Sequence, residues 1–89
     1  MPFTVEEHRV VYTAEDRELA FVTFPAFGEG VVNIDHTFVD PVLRGQGVAG
    51  ELMQRAVDSL RASGRKAVAT CSYARKWFDQ HPEQKDVLR

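Results

Sequence analysis

The chain has 89 residues, of which 44% are hydrophobic and 27% are charged, and this composition predicts one small globular domain over residues 1–89. Its 11 Lys and Arg against 13 Asp and Glu give a formal net charge of −2, which argues against holding nucleic acid by overall charge. The single cysteine, Cys71, excludes an internal disulfide and a multi-cysteine metal site. No secretory signal pattern opens the chain, and no apolar run approaches the roughly 20 residues that span a bilayer. We therefore expect a cytoplasmic protein that binds neither membrane, nucleic acid nor metal.

Runs of β-branched and aromatic residues predict three strands in the first half of the chain. The first two strands are His8–Thr13 and Leu19–Phe24, joined by a polar hairpin loop over Ala14–Glu18. The third strand is Val31–Val39, and Pro41 ends it because proline cannot donate to the ladder. Short connections favour an antiparallel meander.

Alternation along the third strand predicts which residues share a face. One face would carry Val32, Ile34, His36 and Phe38. Asp35 would point to the other face, away from His36.

From Val48 the apolar period changes to that of a helix, which Gly64 ends. The apolar positions of this central helix are Val48, Leu52, Met53, Ala56, Val57 and Leu60. A short buried strand at Lys66–Cys71 and a last helix at Tyr73–Gln80 follow. The order is β-β-β-α-β-α, an α/β (α+β) fold with a mixed sheet, in which the third and fourth strands form a parallel pair around the central helix.

Three glycines, Gly45, Gly47 and Gly50, lie between the third strand and the central helix. No Ser, Thr, Asp or Asn in Arg44–Gly47 offers a helix N-cap, so several backbone N–H groups at the positive end of the helix dipole lack partners. Glycines allow an external anion to approach these amides, and Arg44 adds a cation. The pattern favours a bound phosphate; a glycine-rich turn without a ligand is the alternative.

Residues 45–50 also satisfy the dinucleotide pattern G-x-G-x-x-G. That pattern needs a strand leading tightly into the first glycine and an acidic residue about 20 positions later. Here residues 40–44 intervene, and Thr70 and Cys71 stand at the later position. A dinucleotide site is therefore disfavoured.

Arg44-x-x-Gly47-x-Ala49 resembles the acetyl-CoA pyrophosphate loop of the GNAT acetyltransferases, Q/R-x-x-G-x-G/A. The resemblance to the small single-domain YjdJ-type branch extends over four motifs in order: His36-Thr37-x-Val39-x-Pro41, Leu43-Arg44-Gly45-Gln46-Gly47, Cys71-Ser72-Tyr73-Ala74 and His81-Pro82. It implies a compact GNAT-like fold, acetyl-CoA or coenzyme A as cofactor, and an amine acceptor that the sequence does not identify. The cofactor-binding residues it implies are Phe38, Val39, Arg44, Gly45, Gln46, Gly47, Val48, Ala49, Gly50 and Cys71.

Acetyl transfer to an amine needs a group that removes a proton and a group that supplies one. His36 is the candidate base because imidazole titrates near neutrality, and a buried histidine that bonds a backbone carbonyl is the alternative. Tyr73 is the candidate acid for the leaving thiolate, and packing of the last helix is the alternative. A strand N–H near Phe38 is a hypothetical donor to the oxyanion. Cys71 is either a nucleophile that takes the acetyl group first or a small buried hydrophobe.

Two functions of different kinds fit these residues. The first is an N-acetyltransferase that acts by direct attack of the amine on acetyl-CoA. The second is a module that binds coenzyme A or acyl-CoA with little or no catalysis, since the cofactor loop is well specified whereas no acceptor pocket can be identified from the sequence.

Overall fold

A computed structural model describes residues 2–89, over which the chain forms seven strands, two α-helices and two short 3-10 turns. The strands are β1 Phe3–Val5, β2 Arg9–Ala14, β3 Arg17–Thr23, β4 Ala26–Gly28, β5 Val31–Ile34, β6 His36–Val39 and β7 Lys66–Ala69. The helices are α1 Val48–Ser63 and α2 Ser72–Gln80, and the 3-10 turns are Pro41–Leu43 and Pro82–Val87. The mixed α/β class, the central helix and the last helix are confirmed. The short strands β1 and β4 are additional to the predicted order.

Strands β2 and β3 form the predicted antiparallel hairpin, but its connection is shorter than expected. Glu15 and Asp16 alone make the turn, with φ of 52° and 62°. Two successive left-handed residues match the twist of a two-residue hairpin, so Ala14 and Arg17 remain paired across the ladder. The five-residue loop predicted over Ala14–Glu18 is therefore wrong.

The predicted third strand is in fact two strands that belong to different sheets. β6 pairs antiparallel with β3 and ends the sheet β1-β2-β3-β6, whereas β5 pairs parallel with β7 in the sheet β4-β5-β7. The exchange occurs at one peptide: the Ile34 carbonyl accepts from the amides of Thr70 and Cys71 at 3.1 Å each, and the Asp35 amide donates to the Thr23 carbonyl at 3.2 Å. The two sheets diverge beyond this point. The predicted parallel pair around α1 is confirmed and is formed by β5 and β7.

The interruption at Asp35 also changes which side chains face inward. Val32 and Ile34 are buried as predicted, but His36 and Phe38 are exposed. In β6 it is Thr37 that lies opposite the fully buried Val22. The predicted common face for Val32, Ile34, His36 and Phe38 is therefore wrong, because one extra residue shifts a strand's side-chain alternation to the opposite face.

The inner faces of both sheets pack on α1 and α2 in one buried cluster. The predicted apolar positions of α1 are all buried, and Gly64 ends the helix at φ 71° with its N–H bonded to the carbonyls of Leu60 and Arg61. Ala74, Trp77 and Phe78 bury one face of α2. No helix among residues 2–89 has the length and apolar character that crossing a membrane requires.

Candidate functional site

A cleft of about 230 Å³ opens where β6 leads into the glycine loop and the start of α1. Its lining combines the loop, the first turn of α1, the end of β6 and one side chain of α2. The lining residues are Val39, Leu43, Arg44, Gly45, Gly47, Val48, Ala49, Gly50 and Tyr73. The cleft thus brings together most of the residues that the sequence assigned to the cofactor. Gln46, Phe38 and Cys71 are not in its lining.

Hydrogen bonds within the glycine loop and the conformation of its glycines determine the shape of the loop. The Asp40 carboxylate accepts from the Val42 amide at 3.0 Å and so caps the first 3-10 turn. Gly45 and Gly47 then adopt φ of 82° and 74°, a left-handed conformation that glycine tolerates best. The Gln46 side chain donates to the Val42 carbonyl at 3.3 Å, so this side chain stabilises the loop.

The N-terminus of α1 fits an anion. Gly47 occupies the N-cap position and supplies no side-chain cap, as the sequence predicted. The amides of Val48, Ala49 and Gly50 are the first three of the helix and have no carbonyl within the helix to bond. A Cβ on Gly45 or Gly47 would meet no atom within 4 Å, so open space lies in front of the loop, and the exposed Arg44 flanks it. Exposed amides, the helix dipole and a guanidinium are together the chemistry that binds a pyrophosphate.

Tyr73 is the side chain that α2 contributes to the cleft. Its hydroxyl lies 4.0 Å from the position of a Cβ built on Gly50, beside the first turn of α1. Burial raises the pKa of the Tyr73 phenol above its ordinary value, and the neighbouring Cys71 raises it further. The phenol is therefore protonated at neutral pH and able to donate. It also packs against the core, so the packing role that the sequence offered as the alternative is confirmed.

Cys71 lies at the divergence of the two sheets, immediately before α2. Its amide bonds the Ile34 carbonyl, and its sulfur lies 3.5 Å from the Thr37 hydroxyl of β6. The thiol is half-buried. The sequence did not indicate Thr37 as a neighbour of Cys71, because a continuous strand would place the Thr37 side chain on the wrong face.

His36 lies on the opposite, outer face of β6. Its ring is exposed and packs 5.7 Å from the Phe21 ring, centroid to centroid. The alternative of a buried histidine is therefore wrong. Since Thr37 faces inward and adjacent strand residues alternate, His36 and the Thr37–Cys71 contact are on opposite sides of β6.

Asp35 shares the outer face with His36, which corrects a second prediction. The Thr23 hydroxyl donates to the Asp35 carboxylate at 2.6 Å, and Thr23 is the residue opposite His36 in the ladder. Thr23 and Phe21 are two residues apart on β3 and point to the same side. The interruption at Asp35 thus brings the Asp35 carboxylate and the His36 imidazole to one surface.

Comparison with known proteins agrees with this geometry. The family model of the GCN5-related N-acetyl-transferases matches residues 9–87, and the chain belongs to that family. The protein NATD1 is 32% identical over 63 residues in both Gallus gallus and Homo sapiens, a match that covers 71% of this chain. The chain spans only 57% and 56% of the length of these two curated relatives.

Solved structures show the same fold. The NMR structure of a GCN5-like protein from Staphylococcus aureus is 30% identical, with a TM-score of 0.79, and the match covers 98% of this chain and 86% of that one. N-acetylglutamate synthase from Neisseria gonorrhoeae, solved with coenzyme A and N-acetyl-glutamate, is 16% identical with a TM-score of 0.66. That match covers 89% of this chain and 22% of the synthase, and it shows the fold alone.

Proposed function

We propose that this protein transfers the acetyl group of acetyl-CoA to an amine. The observation that carries the proposal is the uncapped start of α1, where glycines in left-handed conformation and Arg44 line the same cleft as the Tyr73 side chain. Family membership supports acetyl-CoA-dependent acetyl transfer in general. We further propose that residues 1–89 act as a single domain, and that a reducing compartment such as the cytoplasm houses its free thiol.

The chain's residues would hold the cofactor at two places. The amides at the start of α1 and the Arg44 guanidinium would bind the pyrophosphate. The main chain of β6 at Phe38 and Val39, which ends its sheet, would bind the pantetheine by strand-like hydrogen bonds. When bound, acetyl-CoA supplies a thioester whose carbonyl carbon accepts the amine and whose sulfur leaves.

Two side chains would move the protons of the reaction. Holding a lysine-like amine unprotonated at pH 7 costs about 4.6 kcal/mol, so a base that takes its proton helps. His36, on the outer face, would take the proton that the amine loses as the N–C bond forms. Tyr73, on the cleft side, would give a proton to the sulfur as the C–S bond breaks, and an N–H of β6 near Phe38 would bind the carbonyl oxygen meanwhile. Exchange with solvent then restores both side chains.

Direct attack is favoured over a route through an acetylated Cys71. The side-chain partner of the thiol is the Thr37 hydroxyl, and the proposed base His36 is on the other side of β6. We therefore expect Cys71→Ala to keep at least about half of the wild-type kcat, and mass spectrometry of the protein mixed with acetyl-CoA to show no acetyl-cysteine. A trapped acetyl-Cys71, together with loss of turnover in Cys71→Ala, would replace direct attack by the covalent route.

The cofactor site is tested by calorimetry with acetyl-CoA and with coenzyme A. We expect binding in the micromolar range and a loss of about tenfold in Arg44→Ala, since hydrogen bonds to charged groups contribute about 1.5–3 kcal/mol. Gly47→Glu should abolish binding because it places a carboxylate at the pyrophosphate position. Arg17→Ala, at the exposed start of β3 beside the hairpin turn, is the matched control and should bind as the wild type does. Absence of heat with both ligands, or equal affinity in all variants, contradicts the proposal.

A binding module without efficient catalysis is the second candidate. The observation that favours it is the exposure of the outer face around His36, where the acceptor would arrive at an open surface. Acetyl transfer to a panel of small amines and peptides separates the two functions. Turnover that His36→Gln reduces supports the enzyme, whereas cofactor binding without turnover on any acceptor supports the module.

A further inference from the structure

The outer face of the β1-β2-β3-β6 sheet carries a row of aromatic side chains beside the divergence of the sheets. The Phe21 ring lies 5.7 Å from the His36 ring and 5.4 Å from the Phe38 ring, centroid to centroid. Phe38 keeps 39% of its surface exposed, unusual for so large an apolar side chain. This row is a shallow apolar surface suited to an aliphatic chain.

One end of this row is occupied by the exposed carboxylate of Asp35. The Thr23 hydroxyl bonds one carboxylate oxygen at 2.6 Å, which orients the group and leaves the second oxygen available to a ligand. Aromatic faces next to a carboxylate attract an ammonium ion, through the ring quadrupole and through charge.

The cation that lies beside Thr23 in the ladder does not offset Asp35. Arg9 pairs with Thr23 across the ladder. Its guanidinium donates to both carboxylate oxygens of Glu18, at 3.0 and 2.9 Å, and to the Glu6 carboxylate at 3.0 Å. One cation between two carboxylates has a net charge of −1, and the Asp35 carboxylate adds a further negative charge. Across the divergence, Thr70 donates to Asn33 at 3.0 Å, a neutral pair. The outer face is therefore negative where the acceptor would arrive.

We infer that Asp35 is a specificity-determining residue that binds a second, non-reacting ammonium group of the acceptor, so that diamines and lysine-like cationic amines are preferred to amines without a second positive charge. The aliphatic stem would pass from Asp35 over Thr23 toward the Phe21 ring, and the reacting amine would reach the His36 ring that packs on Phe21. This inference rests on the proposed acetyl transfer for its catalytic part and on charge and geometry alone for its binding part.

The binding part is tested without any cofactor. We titrate the protein with 1,5-diaminopentane and follow backbone amide resonances by NMR. We expect shifts concentrated at Thr23, Asp35 and His36, and about fivefold weaker binding in Asp35→Asn, the size expected when an exposed ion pair is lost. Glu83→Gln, on the exposed C-terminal turn, removes one negative charge elsewhere and should leave the affinity unchanged. Equal affinity in Asp35→Asn and wild type overturns the inference.

The catalytic part is tested by the ratio of kcat/KM for 1,5-diaminopentane to that for 1-aminopentane, which has the same stem and one amine. We expect the wild-type ratio to exceed one and to decline with added salt. In Asp35→Asn the ratio should fall about fivefold because the KM for 1,5-diaminopentane rises. Glu83→Gln should leave the ratio unchanged. Turnover of both amines with a ratio unaffected by Asp35→Asn overturns the inference and leaves acetyl transfer standing. Cofactor binding without turnover of any amine refutes the transferase instead, and the NMR titration then decides the inference.

Discussion

The Tyr73 phenol combines a structural and a chemical property in one side chain. Its partial burial raises its pKa above the ordinary value near 10, and the adjacent Cys71 acts in the same direction. A raised phenol pKa means that the neutral, proton-donating form predominates up to about pH 10. Donation to a leaving thiolate, the role proposed for Tyr73, would therefore not weaken as the pH rises from 6 to 9, while removal of the amine proton would become easier.

The pH profile of kcat tests this role. We expect kcat to rise from pH 6 and to stay level to about pH 10. We expect Tyr73→Phe to lower kcat by about 100-fold, the smaller end of what general acid catalysis contributes.

Tyr12→Phe is the matched control, because Tyr12 lies on β2 with its ring edge against Phe3, away from the cleft. It should keep the wild-type profile. A decline in kcat centred below pH 9, or an equal loss in both variants, would contradict the assignment of Tyr73 as the acid.

At the scale of the element, α1 begins and ends in the same backbone conformation. Gly47 precedes it at φ 74° and Gly64 follows it at φ 71°. Alanine at either position forces a Cβ into the left-handed region, at a cost of roughly 1 kcal/mol. A Cβ meets no neighbouring atom at either site, so this backbone cost is the whole of the expected destabilisation.

These two glycines give a matched pair of variants. We expect Gly47→Ala and Gly64→Ala to lower the free energy of unfolding by similar amounts, measured by urea denaturation. Only Gly47→Ala should weaken coenzyme A binding, because Gly47 lines the cleft proposed to hold the pyrophosphate and Gly64 does not. Equal weakening in both variants would show that binding follows general stability, and the assignment of the loop would fail.

The elements differ in how far the sequence predicts them, for physical reasons. Helix α1 repeats its apolar spacing over four turns and ends at Gly64, so local information determines it. The interruption at Asp35 depends on a hydrogen bond that the Asp35 amide donates to Thr23 and on those that Thr70 and Cys71 donate to Ile34, and these partners are distant in sequence. A continuous apolar alternation fits Val31–Val39 equally well, and for this reason the sequence placed His36 and Phe38 on the wrong face and separated Asp35 from His36. The glycine loop does lie between a strand and α1, as predicted.

For the molecule as a whole, a small core limits stability. About 4–13 kcal/mol is expected for the unfolding of a domain of this length. Leu52 of α1 is fully buried in the cluster that joins both sheets. We expect Leu52→Ala to cost about 2–5 kcal/mol, a large share of that total, in urea denaturation.

Val42→Ala serves as the control for this loss, since Val42 is 66% exposed. It should change the free energy of unfolding by less than about 0.5 kcal/mol. Similar losses for the two variants would mean that the cluster around α1 does not hold the sheets together as described.

Strand β6 ends its sheet with a row of N–H and C=O groups that a ligand can use. The edge strands β1 and β4 are only three residues long, and the edge of β7 is partly covered by a bridge from Ala67 to Leu88. The β6 edge is a place where a second molecule of the same protein can add its own strand, and aggregation begins at such edges. If β6 binds the pantetheine as proposed, occupancy of the cleft and colloidal stability are linked, because the groups that would bind the ligand are then withheld from self-association.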